Sequence, residues 1–273
     1  MSSNPSPEPA DRTLRTARHS SSSLARGLQI LDVVASRGRL RVDEIAARVE
    51  LPLSTVYRYV RQLRESRYLY EVDGFYSLGA RFSTGQQRRG TGHLVRVAEP
   101  VLRRLRDRTG EAALLTVRVR TAVLCLDRVM PQRRYLLSFQ RGSVRPLYAG
   151  ASATPLLAFA PAEVVEEIIA GPLRRITANT PDRSTLNREL AGIRERGFVV
   201  SHGAVDPEMT GVGAPVFRGD SCVCALSAVG PHRSMEGARL DGAIAAVLEA
   251  SSELSRGLDS ADGAIAWSAG EDW

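Results

Sequence analysis

The sequence predicts an α+β protein of two domains, an N-terminal winged helix-turn-helix and a C-terminal mixed domain whose largely antiparallel sheet is flanked by helices. Three observations carry that expectation. Two short amphipathic segments, residues 42–49 and 54–63, meet at a turn containing Pro52 and are followed by a hairpin pattern. Beyond Ala112 the apolar pattern runs as strands, then helices, then strands again, an order that argues α+β rather than repeated βαβ units. Charge is unevenly placed: residues 1–92 hold 15 arginines against 9 acids, and residues 93–273 hold 22 against 21. A basic half joined to a near-neutral half implies a polyanion partner for the first half only.

The helix-turn-helix organises the rest. Val42, Ile45, Ala46 and Val49 recur at three- and four-residue steps, so the first helix buries one stripe. Pro52 interrupts it, and Ser54 or Thr55 is expected to cap the next helix by accepting an orphan amide. Val56, Tyr59, Val60 and Leu63 then line its inner face, while Ser54, Thr55, Tyr57, Arg58, Arg61 and Arg64 lie opposite. Hydroxyls and guanidinium groups on one helical face bond base edges and phosphates in a major groove, although a solvated arginine-rich face has the same composition. The next residues sharpen the choice. Residues 68–72, the Asp73-Gly74 pair and residues 75–78 read as strand, turn and strand, which is a wing able to lie along the phosphate backbone. Upstream, residues 24–34 form an amphipathic helix ended by Arg37-Gly38, with Arg26 at its start as a phosphate contact.

Composition excludes several classes. No apolar run approaches the roughly 20 residues of a membrane-spanning helix, and the Ser/Pro/Arg-containing N-terminus lacks the apolar centre of a signal peptide, so a cytoplasmic protein with no membrane partner is expected. Cys125, Cys222 and Cys224 are too few and too scattered for a secreted disulfide framework. All 37 basic residues are arginine, which removes P-loop lysine, Schiff-base lysine and Ser-x-x-Lys chemistry. Cys222 and Cys224 resemble half a metal site, but alternate strand residues share a face and packing is the better reading. His202 and Asp206 lack ligand spacing, and no nucleophile elbow or Ser-His-Asp set is present. We therefore expect no catalytic residues, no metal and no cofactor.

The expected organisation is a disordered tail over residues 1–20, whose Arg12, Arg15 and Arg18 lie near the DNA-binding unit, and a winged domain over 21–80. A connector over 81–93, rich in Gly, Gln and Arg, precedes the second domain over 94–258 and a tail over 259–273. Within the second domain, a helix over 94–105 stops at Thr109-Gly110. Strands are expected over 112–119, 122–129 and 135–139 and near 146–148. Helices then start at Thr154-Pro155, Pro161 and Ser184, the last ending at Gly197. Strands over 198–201, 213–217 and 222–229 and a closing helix over about 237–258 complete it.

The chain resembles the isocitrate lyase regulator (IclR) family of bacterial transcription factors from Ser23 to Leu258. The pieces that carry the resemblance are Leu53-Ser-Thr-Val-Tyr-Arg58, Tyr76-Ser-Leu-Gly79, Pro146-Leu-Tyr-Ala-Gly-Ala-Ser152, Arg196-Gly-Phe198, Gly211-Val-Gly-Ala-Pro-Val216 and Ala225-Leu-Ser-Ala-Val-Gly-Pro231, in that order. The resemblance implies a GAF/profilin-like effector-binding domain and a regulator that dimerises, often assembles further to a tetramer, and binds palindromic double-stranded DNA operators. It also implies a small organic acid or aromatic effector held by the loop of residues 149–153, with Ala151, Ser152 and Ala153 on one side and Ser201, Gly211 and Ser227 on the others. The residues themselves agree in kind, because small residues at a helix start expose amides to an anion, and equally they permit plain close packing of helix on sheet. After the loop, many members have Gly-Lys-Ala where this chain has Ala153-Thr-Pro155, which implies a bulkier or less acidic ligand. The competing class is a small-acid-binding, hydrolase-like domain fused to a basic helical module, which would turn a bound compound over where a regulator would only bind it.

Overall fold

A computed structural model describes residues 23–37, 39–79, 85–133 and 135–260. The expected tail over residues 1–20, with its three arginines, and residues 261–273 lie outside the described residues.

The N-terminal unit begins with α1 (Ser23–Arg37), β1 (Leu40–Arg41), α2 (Val42–Val49) and α3 (Leu53–Glu65), and ends in the hairpin β2 (Leu69–Val72) and β3 (Phe75–Leu78). The three strands form an antiparallel sheet in the order β1-β3-β2. Helix α2 opens with the Arg41 backbone N–H donating to Glu44 Oε2 at 2.7 Å, and closes on Glu50, whose φ of 54° makes the sharp turn into α3. Ser54 and Thr55 do not cap α3. The helix starts one residue earlier at Leu53 with Pro52 as its N-cap, so both hydroxyls sit in the first turn and are left for other partners. The wing turns on Asp73 (φ 55°) and Gly74 (φ 81°), the pair of left-handed residues that a two-residue hairpin requires. Ile30, Val34, Ile45, Val56, Tyr59, Val60, Leu69 and Tyr76 close one small core.

Helix α4 (Gly85–Thr109) leads into the second unit: β4 (Ala112–Val119), β5 (Ala122–Val129), β6 (Val144–Pro146), α5 (Thr154–Ala158), α6 (Ala162–Ala170), α7 (Arg183–Arg196), β7 (Val199–His202), β8 (Met209–Arg218), β9 (Ser221–Pro231) and α8 (Ala238–Ser260). Residues 85–93, expected as an irregular connector, are the first turns of α4. Its docked half supplies the nucleus, and adding turns to an existing helix is far cheaper than starting one, even through Gly90 and Gly92. Pro100 removes one bond from the ladder of this helix.

The sheet runs β6-β5-β4-β9-β8-β7 with every neighbour antiparallel. One face packs on α4 and α8 through Leu94, Leu102, Leu105, Leu115, Leu226, Val247 and Leu254. Arg104 and Arg108 tie the two helices together through Glu253 and Glu249. The other face carries Ala112, Leu114, Val123, Cys125 and Ala225 beneath α5, α6 and α7. Helix α7 starts on Asp182, which accepts from the Thr185 N–H at 2.8 Å, and ends at Gly197 with φ 79°.

One strand expectation fails. Residues 135–139 form an irregular strap rather than a strand, while the short strand expected near 146–148 is β6, two residues earlier. Tyr135 hangs the strap on the sheet by donating to the Val229 carbonyl at 2.7 Å and accepting from the Ala112 N–H at 2.7 Å, so side chains take the place of a ladder. Cys222 and Cys224 also separate. The register shifts between Val216 and Phe217, so Cys224 joins the core under α4 and α8 while Cys222 packs with the opposite one.

Candidate functional site

The face of α3 away from the core holds the expected reading head. Ser54, Tyr57, Arg58, Arg61 and Arg64 are exposed and Thr55 is half-buried, while Val56, Tyr59 and Val60 anchor the helix inside. Arg58 lies over the Tyr59 ring at 5.4 Å, and Arg61 pairs with Glu65 one turn on, at 3.4 Å between exposed groups. Such surface pairs contribute about 0–1 kcal/mol and yield readily to a phosphate. Arg64 is placed differently. It grips Glu71 of β2 at 2.5 Å and so ties the helix to the wing. Arg26 lies on α1 half-buried, near enough to Tyr59 to influence its charge, with Ser23 Oγ 2.9 Å from the same phenol. Leu53 and Tyr57, 44% and 51% exposed one turn apart, add an apolar strip to this face. Apolar side chains there suit thymine methyl groups.

The second site is a cavity of about 60 Å³ between the sheet and the loop that enters α5. Its walls are Leu114, Val123, Leu137, Phe139, Met209 and Val229, with Ala151, Ser152, Ala153, Ser201 and Gly211 along the loop and the β7–β8 edge. Five of the six residues expected there are therefore brought together. Ser227 is not among them. It is fully buried, and its hydroxyl lies 2.6 Å from Ser152 Oγ, locking the loop to β9 instead of facing a ligand. The Ser152 carbonyl accepts from Thr116 Oγ1 at 2.7 Å. Gly213 lets the loop come this close, since a Cβ there would stand 1.8 Å from the Ala151 carbonyl oxygen.

The helix-start amides are less available than the composition implied. The N–H groups of Ala153 and Thr154 both donate to the Gly150 carbonyl, at 2.9 and 3.1 Å, and α5 is only five residues long. The charged groups at the cavity are Arg145 and Asp206, neither of which was expected to line a binding site. Arg145 stands opposite Val123 in the β5–β6 pairing, so it faces the cavity side of the sheet. Reading it would have required knowing that pairing.

Among the described residues no group of three or more His, Cys, Asp or Glu side chains is arranged to hold a metal. His202 and Asp206 are engaged elsewhere: His202 Nδ1 is 3.1 Å from Thr210 Oγ1, which is 2.7 Å from His232 Nδ1, and Asp206 binds Ser138. Burial pushes the Cys125 and Cys222 thiols up to about 12 and Cys224 well above its ordinary value, and Cys125 and Cys224, being fully covered, are inert.

The two units touch beside the cavity. Tyr148, the residue before the loop, has its hydroxyl 3.0 Å from Asp73 Oδ1 at the wing tip and 3.1 Å from the Arg174 carbonyl. Arg39, packed over the Phe75 ring at 4.1 Å, reaches Glu167 of α6 at 3.0 Å.

Comparison with known proteins fits this geometry. The IclR helix-turn-helix domain matches residues 23–73 and the bacterial transcriptional regulator IclR C-terminal domain matches residues 89–256. The chain belongs to the IclR family. It is 33% identical over 243 residues to the HTH-type transcriptional regulator BhcR of Paracoccus denitrificans, covering 86% of this chain and 87% of that one. It is 32% identical over 224 residues to the probable transcriptional regulator SauR of Cupriavidus necator, covering 78% and 87%. Among solved structures it resembles an IclR homolog of Microbacterium hydrocarbonoxydans complexed with 4-hydroxybenzoate, at TM-score 0.62 and 28% identity over 87% of this chain and 99% of that one. This IclR-family chain is thus an α+β DNA-binding transcriptional regulator with a C-terminal effector-binding domain, and not an enzyme. Among the described residues no helix is long and apolar enough to cross a membrane.

Proposed function

We propose that the protein is a cytoplasmic repressor that binds a palindromic operator as a homodimer and changes its hold on DNA when a small organic acid or aromatic compound enters the cavity. The carrying observation is the position of Tyr148, with one chain neighbour in the cavity loop and its hydroxyl on the wing tip. A compound that shifts the loop therefore acts on the DNA-binding unit through a single side chain. Such an effector acts only by binding the operator-competent and incompetent arrangements unequally.

The relatives support the reading. The HTH-type transcriptional repressor AllR of Escherichia coli is 27% identical, and the Microbacterium homolog holds a hydroxylated aromatic acid. Size sets a condition. A dry cavity of about 150 Å³ admits benzene, and the cavity here, partly open to solvent, is about 60 Å³, so a ring needs its walls, Leu137 and Phe139 on the strap among them, to give way.

Ser54, Thr55, Tyr57 and Arg58 read bases in this proposal, Arg61 and Arg26 hold phosphate, and Arg64 sets the wing against the helix. Leu24 and Leu28, 72% and 51% exposed one turn apart on α1, are suited to cover against a second copy, which would place two recognition helices about 34 Å apart or a multiple of that. Light scattering distinguishes the dimer from a tetramer.

The test is selection of bound fragments from the source genome, repeated with candidate acids. Arg58→Ala and Thr55→Ala should each weaken the selected site by about 1–3 kcal/mol and relax its sequence preference. A chain that ignores every duplex at low salt refutes the DNA reading. Operator affinity and scattering profile both unchanged under saturating effector refute the coupling.

A further inference from the structure

Building on the reading of the cavity as the effector site, we propose that Arg145 is the group that recognises a carboxylate on the effector, and that the carboxylate takes Arg145 from Ser138 on the strap.

The cavity has apolar walls and, among the described residues lining it, two charges. Asp206 is already satisfied, accepting from the Ser138 N–H on Oδ2 at 3.2 Å and from the Ser138 hydroxyl on Oδ1. Arg145 is not. Its Nη2 donates to the Ser138 carbonyl at 3.2 Å and to Ser138 Oγ at 2.9 Å, while Nε and Nη1 have no hydrogen-bond partner among the described residues. A guanidinium grips a carboxylate with two parallel N–H donors, and this gives the pair its strength and its geometry. Both forks, Nε with Nη2 and Nη1 with Nη2, need the nitrogen that now holds Ser138. A carboxylate bound at two points therefore competes with Ser138 for Nη2.

The loop amides are a weaker alternative, because those of Ala153 and Thr154 are already spent on Gly150. Strap alternation then links recognition to entry. Leu137 and Phe139 point into the cavity, and Ser138 between them is the residue that Arg145 and Asp206 hold. Releasing Ser138 from Arg145 loosens the segment whose two apolar neighbours fill the space a ring requires. The ligand class is an apolar or aromatic monocarboxylate, its body against Leu114, Val123, Met209 and Val229 and its charge at Arg145.

Titration calorimetry of the full chain with benzoate, phenylacetate and butyrate, each against its neutral amide, tests this. Wild type should bind at least one acid about tenfold or more tighter than its amide, the scale of one charge-assisted contact. Arg145→Gln, with folding checked by its melting curve, should bring that acid to the affinity of the amide and leave the amide unchanged. Arg145→Lys, which keeps charge but has no fork, should retain part of the preference, and Ser138→Ala should retain all of it. Equal binding of acid and amide by wild type, or a preference surviving in Arg145→Gln, overturns the assignment while the cavity remains the effector site. Failure of every acid and amide to bind, or a preference for benzylamine, overturns it too, the first by removing the cavity reading and the second by giving the site to Asp206.

Discussion

Replacing Gly213 by alanine is the sharpest probe of how the effector loop is seated. The added methyl would stand 1.8 Å from the Ala151 carbonyl oxygen and 2.7 Å from the carbonyl carbon, both backbone atoms that no rotamer change can move. Ordinary carbon–oxygen approaches are about 3.3 Å, so loop and strand must part by roughly 1.5 Å. Overpacking of this kind costs about 1–3 kcal/mol. For a domain of this size each kcal/mol lowers the melting temperature by about 2–4 °C, giving a fall of about 2–12 °C. The retreat also presses Ala151 into the cavity, so binding of small acids should weaken, and through Tyr148 the same shift should alter operator affinity without effector. Gly242 supplies the opposite case: it is exposed on α8 with nothing within 4 Å of a built Cβ, and Gly242→Ala should raise stability by about 0.5–1 kcal/mol. Differential scanning calorimetry of both variants decides the matter. A Gly213→Ala chain that melts with or above wild type refutes the close approach of Ala151 to β8.

Other outcomes follow from charge and burial. Arg61→Ala should weaken binding to all duplexes alike and reduce the salt slope by about 1, measured by fluorescence anisotropy across a salt series; a loss confined to one sequence would contradict the phosphate role. Asp73 is held above its ordinary value of 3.8 chiefly by burial, with Tyr148, Arg39 and Arg174 pulling it down and Glu71 pushing it up. A raised carboxyl favours the docked wing when protonated, so that contribution is fully present below 3.8 and lost as pH rises through the raised value. Scattering should therefore show the wing contact loosening as pH rises through the acid range, and Asp73→Asn should abolish the trend. Thiol reagents should leave the buried Cys125 and Cys224 unlabelled in the native chain and label them on unfolding; rapid native labelling of either would show that the two sheet faces open.

What was legible in the sequence was local. The Asp73-Gly74 wing turn, the helix ending at Gly197 and the buried stripe of α3 each depend on residues within a few positions, and each stands where its spacing placed it. What was misread depended on distant partners. Tyr135, Leu137 and Phe139 alternate like a strand, yet their backbone pairs with no strand among the described residues, and the Leu137 and Phe139 carbonyls accept from the Arg128 side chain instead. Tyr135 and Ser138 are fixed by side-chain bonds to Val229 and Asp206, which no periodicity records. Glycines over residues 85–93 imitate a linker, but the docked half of α4 imposes its helix on them. Ser227 was grouped with the cavity because a hydroxyl in a small-residue strand suits a ligand, and it is spent on Ser152 beneath the loop. Arg145 escaped notice because its place beside the cavity follows only from the edge pairing with Val123.

Helix α4 gives the molecule a lever. Its 25 residues span about 37 Å, and Leu94, Leu102 and Leu105 clamp it against α8 and the sheet from before its midpoint to its last turn. The nine residues before Leu94 reach about 13 Å beyond the clamp, so a tilt of roughly 13° there carries the free end through about 3 Å, close to the rise of one base pair. In the proposed homodimer, repacking of that size around the sheet shifts how the two recognition helices are spaced along a duplex.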